Sequence, residues 1–245
     1  MLHKKSIELN YLLIEQLSKS YGEKELFSDI TFGIDQGSKV ALIARNGAGK
    51  SSLLNIITGK DLPDSGAVTF RKGIRWSYLP QNPLMDDSKS VFEVLFHADN
   101  EFMRAIRDYE LSLVRLRHED TPDAHHQLEI STNAMEMVGG WDYEVKIREI
   151  LSRFKITDLE QKTGELSGGQ RKKLSLAKAL IEETDLLILD EPTNHLDIEM
   201  IEWLEEYLSR QNLSLLVVTH DRYFLDNVCN EILELDNNKL YRYKG

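Results

Sequence analysis

The chain has 245 residues, 41% of them hydrophobic and 29% charged, with 30 Lys and Arg against 41 Asp and Glu for a formal net charge of −11. This composition excludes a disordered or collagen-like chain, and the acidic balance argues against a non-specific nucleic-acid footprint over the whole surface, though a local basic face remains open. No apolar run approaches the ~20 residues of a membrane-spanning helix, Glu8 and Asn10 interrupt any secretory signal, and the single cysteine, Cys229, leaves no internal disulfide or multi-cysteine zinc site and reads as a small buried apolar residue in a reducing compartment.

The length suits one elaborate domain or two small ones. Up to about residue 36 the chain reads as strands, with alternation in Leu12, Ile14 and Leu17 and in Ile30, Phe32 and Ile34. Lys39 to Ile43 reads as a buried strand running into a Gly-rich turn, and Ser51 to Thr58 as a helix. Gly66 to Phe70 and Ile74 to Leu79 read as a hairpin with Gly73 in its turn. In the middle, Phe102, Ile106, Tyr109, Leu113 and Leu116 form an apolar helical stripe, broken at Asp120, Thr121 and Pro122. A second helix runs to Val138 and stops at Gly139 and Gly140. From Ser167 the pattern becomes helix to Glu182, strand Leu186 to Leu189, helix near Ile198 to Arg210 and strand Leu213 to Val218. A final hairpin joins Glu231 to Leu235 with Leu240 to Tyr243. Short apolar strands alternating with helices predict an α/β fold with a mostly parallel sheet, with a helical subdomain at about 95–165 and an arm at about 99–138 within it.

Two stretches carry chemistry. Ala44-Arg45-Asn46-Gly47-Ala48-Gly49-Lys50-Ser51 follows a strand and opens a helix, as a phosphate-binding loop must. Its backbone N–H groups suit phosphate oxygens, and Gly47 and Gly49 allow close approach. Lys50 suits the β- and γ-phosphates and the Ser51 hydroxyl suits Mg²⁺, with Asn46, Gly47, Ala48, Gly49 and Ser52 completing the contact surface. Ala44 stands where the first glycine of that pattern is usual. Leu186-Leu187-Ile188-Leu189-Asp190-Glu191-Pro192 describes a buried strand ending in two acids, with Asp190 placed to hold Mg²⁺ and Glu191 to polarise an attacking water. A Gly-rich strand-to-helix turn and a solvated acidic turn would explain each stretch taken alone.

Between them, Leu166-Ser167-Gly168-Gly169-Gln170 opens a helix with Ser167 as a good N-cap. With all three stretches in this order, nearly the whole chain resembles an ATP-binding cassette ATPase. The resemblance implies a P-loop nucleotide-binding core, an N-terminal antiparallel β-subdomain and a helical subdomain. It places Tyr21 where an aromatic stacks on adenine, Gln81 in the Q-loop as a Mg²⁺ and nucleotide contact, Asp197 in the D-loop and His220 as the switch histidine. Singly, Tyr21 suits a core position, Gln81 a solvated turn and His220 a strand end. The resemblance also assigns Ser167, Gly168, Gly169 and Gln170 to ATP held by a second cassette.

Glu191 to Asp197 (EPTNHLD) and His220 to Asp226 (HDRYFLD) resemble the ABC-F class, and within it the first cassette of a Uup-like member. The class implies a cytoplasmic protein without membrane insertion, with ATP and Mg²⁺, two cassettes in tandem or as a homodimer, and the ribosome or its RNA as partner. On that resemblance the chain reads as a fragment, ending about where a linker begins, or as a one-cassette variant. Arg104, Arg107 and Arg115 share a face of the arm opposite the apolar stripe and suit such a partner, or equally a solvated face balanced by Asp108 and Glu110. The adjacent His125 and His126 point apart on a helix and do not suit a metal. The main rival reading is the ATPase subunit of a membrane transporter. A second is a module that closes on ATP without turnover, against which Lys50, Asp190, Glu191 and His220 argue.

Overall fold

The computed structural model describes residues 10–97 and 101–244. The first nine residues of the stretch expected as strands, the first two positions of the expected arm and Gly245 lie outside the described residues. Residues up to Pro83 and from Glu183 onward form one compact unit, and Leu84–Glu182 forms a second.

In the first unit, β1 (Asn10–Tyr21) and β2 (Lys24–Asp35) pair antiparallel. The alternating residues Leu12, Ile14, Leu17, Ile30, Phe32 and Ile34 are all buried, as the period of two requires. Strand β3 (Lys39–Ala44) leads into α1 (Lys50–Ile57). Next come β4 (Ser65–Phe70) and β5 (Trp76–Leu79). The hairpin expected between these two does not form. β4 joins β1 in a sheet ordered β2-β1-β4, while β5 starts a different sheet.

Two contacts between residues distant in sequence separate them. Gly66, at φ 89, lies so close to Gln16 that an added Cβ would sit 2.4 Å from the Gln16 carbonyl, so β4 locks onto the bulge where Gln16 itself has φ 50. On the other side of the turn, Arg75 is fixed beside the strand at residue 186. Its N–H donates to Asp185 at 2.8 Å and its carbonyl accepts the Asp185 N–H at 2.8 Å. The Phe70 and Trp76 rings stack at 4.8 Å across the change of direction.

The second unit is helical: α2 (Val91–Leu95), α3 (Glu101–His118), α4 (Pro122–Val138), α5 (Trp141–Arg153) and α6 (Gly168–Ile181). Thr121 caps α4, Pro122 takes its first turn, and Gly139 ends it at φ 66. The buried stripe of α3 differs from the expected one. Met103, Ala105, Ile106 and Ser112 are buried, whereas Phe102 is exposed. The buried Ser112 and Ser131 hydroxyls meet at 3.1 Å, and Tyr109 sets its ring edge-on to Trp141 at 5.1 Å. Helices α2 and α5 have no counterpart among the elements expected from the sequence. Arg115 is tied to Asp123 at 2.7 Å and Glu119 at 3.4 Å, and Arg107 lies 3.9 Å from Asp108. Glu110, expected to balance this face, instead pairs with Arg148 of α5 at 2.9 Å. His125 faces Asp120 and His126 faces Glu129, one carboxylate each.

The first unit resumes with β6 (Leu186–Asp190), α7 (Ile198–Arg210), β7 (Ser214–Val218), α8 (Arg222–Val228), β8 (Glu231–Asp236) and β9 (Lys239–Lys244). Its second sheet runs β5-β6-β7-β3-β8-β9, parallel except for the β8–β9 hairpin. β6 and β7 are buried at every position, as central strands covered on both faces must be. One core cluster joins both sheets to α1, including Leu12, Phe27, Leu42, Leu53, Ile188 and Leu216. Each such side chain contributes about 1.5–3 kcal/mol on burial, which holds the strand ends in fixed order. Cys229, just after α8, is half-buried, and burial pushes its thiol up to about 12, so it stays protonated and inert.

Candidate nucleotide site

The parallel order β5-β6-β7-β3 sets four loops side by side at the carboxyl ends of the strands, where open α/β sheets take their ligands. Gln81 follows β5, Asp190 ends β6 with Glu191 just after it, His220 follows β7, and the Gly-rich loop follows β3. All of them line one cavity of about 540 Å³ with Tyr21, Lys24, Leu26, Asn46, Gly47, Gly49, Lys50, Ser51, Ser52 and Asn194. That volume lies in the usual range of small-ligand sites.

The loop is shaped by its glycines. Gly47 has φ 76 and Gly49 φ 105, and a Cβ on Gly49 would press to 3.1 Å on the Leu26 Cβ and 3.3 Å on the Phe27 ring. Ala44 is a strand residue paired with Leu235, outside the left-handed region, so alanine there costs the loop nothing. Its carbonyl accepts from Lys50 Nζ at 2.7 Å, and the Arg45 carbonyl lies at 3.4 Å. Burial lowers the Lys50 pKa from its ordinary value, while Glu191 and Asp190 pull it back up.

Asp190 and Glu191 are both buried, at 5% and 8% exposure. Glu191 takes φ 51, unusual for a residue with a Cβ, and its N–H is anchored on the Val218 carbonyl at 2.7 Å. Its Oε1 lies 3.4 Å from His220 Nε2. The His220 loop is braced in turn, since the Asp221 N–H donates to Thr219 Oγ1 at 3.1 Å and the Asp221 carboxylate caps α8.

Other expected site residues are placed elsewhere. Ala48 helps close the loop, its N–H on the Arg45 carbonyl at 3.2 Å, without lining the cavity. Asp197 is the N-cap of α7, accepting the Met200 N–H at 3.0 Å. Ser167, Gly168, Gly169 and Gln170 belong to the second unit. There Ser167 and Gln170 form a reciprocal capping box at 2.9 and 3.3 Å, and a Cβ on Gly168 would meet nothing within 4 Å. Lys24, Leu26 and Asn194 line the cavity without having been singled out for it. Lys24 Nζ donates to the Gly47 carbonyl at 3.1 Å, and only the pairing of β2 beside the loop brings it there.

These features define a nucleotide-binding cassette, and comparison with known proteins agrees. Residues 27–194 match the family model described as ABC transporter. The chain belongs to the ATP-binding cassette family of nucleotide-binding ATPases.

Its relatives include the Bacillus subtilis ABC transporter ATP-binding protein YfmR, 40% identical over 97% of this chain and 38% of that protein. The energy-dependent translational throttle protein EttA of Mycobacterium tuberculosis is 32% identical over 95% of this chain and 42% of its own length. The ATP-binding protein Uup of Haemophilus influenzae is 35% identical over 92% and 35%. EttA and Uup are the kind of relative that the ABC-F resemblance implies. The chain spans less than half the length of these proteins. Among solved structures, an ATP-binding subunit of an ABC transporter superposes with a TM-score of 0.69 at 23% identity, covering 96% of this chain and 90% of that one. That likeness concerns the fold alone. Among the described residues, no helix is long and apolar enough to cross a membrane.

Proposed function

We propose that this chain is a cytoplasmic cassette of an ABC-F type protein, one that binds Mg-ATP, hydrolyses it and uses the cycle to act on the ribosome. The observation that carries the ATPase reading is the meeting of Lys50, Ser51, Gln81, Asp190, Glu191 and His220 in one cavity at the ends of adjacent strands. The Ser51 hydroxyl, the Asp190 carboxylate and the Gln81 amide are the hard oxygen donors that Mg²⁺ takes. When bound, that ion neutralises phosphate charge. Lys50 and the loop N–H groups hold the phosphates. Glu191 orients a water for in-line attack at the γ-phosphorus and takes its proton as the bond to ADP breaks. His220, within reach of both Glu191 and the cavity, keeps that carboxylate aimed. In this reading a second cassette, in a longer chain or a second copy, supplies its Ser167 to Gln170 segment to the bound ATP. The open space around Gly168 leaves room for such an approach.

Calorimetric titration with Mg-ATP is expected to give one site per chain. No heat of binding at millimolar ATP would remove the reading.

The ribosomal role rests on the motifs resembling ABC-F and on relatives such as EttA, whose name marks it as a translational throttle. Arg104 and Arg115 are exposed on α3 and Arg107 is half-buried, and affinity of such a face for RNA depends on salt. Asp123 and Glu119 already hold Arg115, which lowers its share of that attraction. Changing all three arginines to Glu is expected to reduce ribosome co-sedimentation at moderate salt and to spare basal ATP turnover. Equal co-sedimentation of variant and wild type would favour the solvated-face reading.

A further inference from the structure

Tyr21 is held by a network that includes a buried lysine. Lys19, two residues earlier on β1, is only 7% exposed. Its ammonium donates to Asp61 Oδ1 at 3.1 Å and to the Leu62 carbonyl at 2.6 Å. The other Asp61 oxygen accepts the Tyr21 hydroxyl at 2.6 Å, and the Lys19 ammonium lies 5.0 Å from the centre of the Tyr21 ring. Asp61 sits in the turn that follows α1, where its N–H donates to the Asn55 carbonyl at 3.2 Å. The same turn is stitched to β1 twice more, by Ser20 N–H to Asp64 at 2.7 Å and by Asp64 N–H to the Ser18 carbonyl at 2.9 Å. The Tyr21 hydroxyl, then Lys19, hold the Asp61 carboxyl below its usual range, so it stays charged against the buried ammonium.

Tyr21 is 53% exposed and lines the nucleotide cavity. A tyrosine so exposed would sample several rotamers if its hydroxyl were free, and binding a base would then have to order it. Here the hydroxyl is tied to the far end of the helix that begins with Lys50.

We propose that Asp61, fixed by the buried Lys19, is a positioning residue for Tyr21. It pre-orients the ring that stacks on the base and links that ring to the helix opened by the phosphate loop. This rests on the nucleotide reading above and deepens it. Asp61 does not line the cavity, so in this proposal its effect on the base passes through Tyr21.

The test compares ATP, GTP and inorganic tripolyphosphate, which carries no base, by calorimetry or by competition. Tyr21→Ala is expected to weaken ATP and GTP alike by about 5- to 100-fold and to leave tripolyphosphate unchanged. Asp61→Ala is expected to weaken ATP by about two- to tenfold, the cost of ordering one side chain, again sparing tripolyphosphate. In a Tyr21→Phe background, which already lacks the hydroxyl, Asp61→Ala is expected to add almost nothing.

If Asp61→Ala strands the Lys19 charge and fails to fold, the double variant Lys19→Met with Asp61→Leu cuts the same link with an apolar pair. Melting curves confirm which variants are folded. An equal loss of ATP affinity in both backgrounds, or a matched loss for tripolyphosphate, overturns the positioning role and leaves the nucleotide site standing. Unchanged ATP affinity in Tyr21→Ala overturns stacking and positioning together.

Discussion

Replacing Lys50 with alanine is expected to weaken ATP binding by roughly 10- to 100-fold and to leave the fold intact. A charge-assisted hydrogen bond contributes about 1.5–3 kcal/mol. The structure explains why so little stability depends on this side chain. Lys50 is the first residue of α1, where the helix dipole disfavours a cation. Its ammonium is partly desolvated and donates to two loop carbonyls, those of Ala44 and Arg45, beside a cavity that water reaches. The folded chain thus keeps a positive charge in an unfavourable place, offset mainly by Glu191 and Asp190. Bound phosphates would supply the missing counter-charge. The check is calorimetry with Mg-ATP beside a thermal melt. Wild-type affinity, or a collapse in melting temperature that accounts for the lost binding, would remove Lys50 from its role.

Lys50, Ser51, Asp190 and Glu191 were legible in the sequence because they end a strand, follow one or open a helix, whereas Tyr21, Gln81 and His220 were placed by the family resemblance. Asp190 and Glu191 follow four apolar residues, Lys50 follows a glycine-bearing turn, and a strand's carboxyl end fixes where the next residue goes. Lys24, Leu26 and Asn194 were not legible as site residues, since they reach the cavity only through the placement of β2 and the turn after β6. The fate of β4 and β5 was hidden for a similar reason. Gly73 does turn the chain, at φ 88, and a turn between two short apolar runs reads as a hairpin. What separates the two strands is non-local: the Gln16 bulge that only Gly66 can meet, and the Asp185 contacts that capture Arg75. On α3, the spacing picked Phe102, Ile106, Tyr109, Leu113 and Leu116, yet Phe102 faces outward and Met103 takes its place in the core. The neighbouring helices, α4 and α5, decide that rotation, and α5 itself carries too many charges to stand out as an apolar stripe. Helix α8 is only seven residues long, and its cap Asp221 reads equally well as part of a loop.

In Glu191→Gln, turnover is expected to fall by about 10²–10⁴-fold, the usual contribution of a positioned general base, with ATP binding retained. Glutamine keeps the size and hydrogen-bonding reach of Glu191 but cannot take the proton of the attacking water. Three features make the substitution a clean one. The backbone at φ 51 is held by the N–H to Val218, which the side chain does not affect. The side chain is buried, and glutamine keeps its volume, so the packing around it is preserved. The His220 Nε2, 3.4 Å from Oε1, can face the amide oxygen in place of the carboxylate. Loss of the Glu191 charge also removes one of the two groups that raise the Lys50 pKa, so a small change in ATP affinity is expected beside the large change in rate. With hydrolysis blocked, the ATP-bound pair of cassettes should accumulate, and between separate chains its population must rise with protein concentration. Light scattering of the variant with Mg-ATP across a concentration series, beside a phosphate-release assay, reads both effects. Wild-type turnover would exclude Glu191 as the base. Lost turnover with a dimer that grows with concentration would support both the base and pairing between copies. Lost turnover with monomers throughout would uphold the base and exclude pairing between copies, leaving a tandem cassette as the source of the second Ser167 to Gln170 segment.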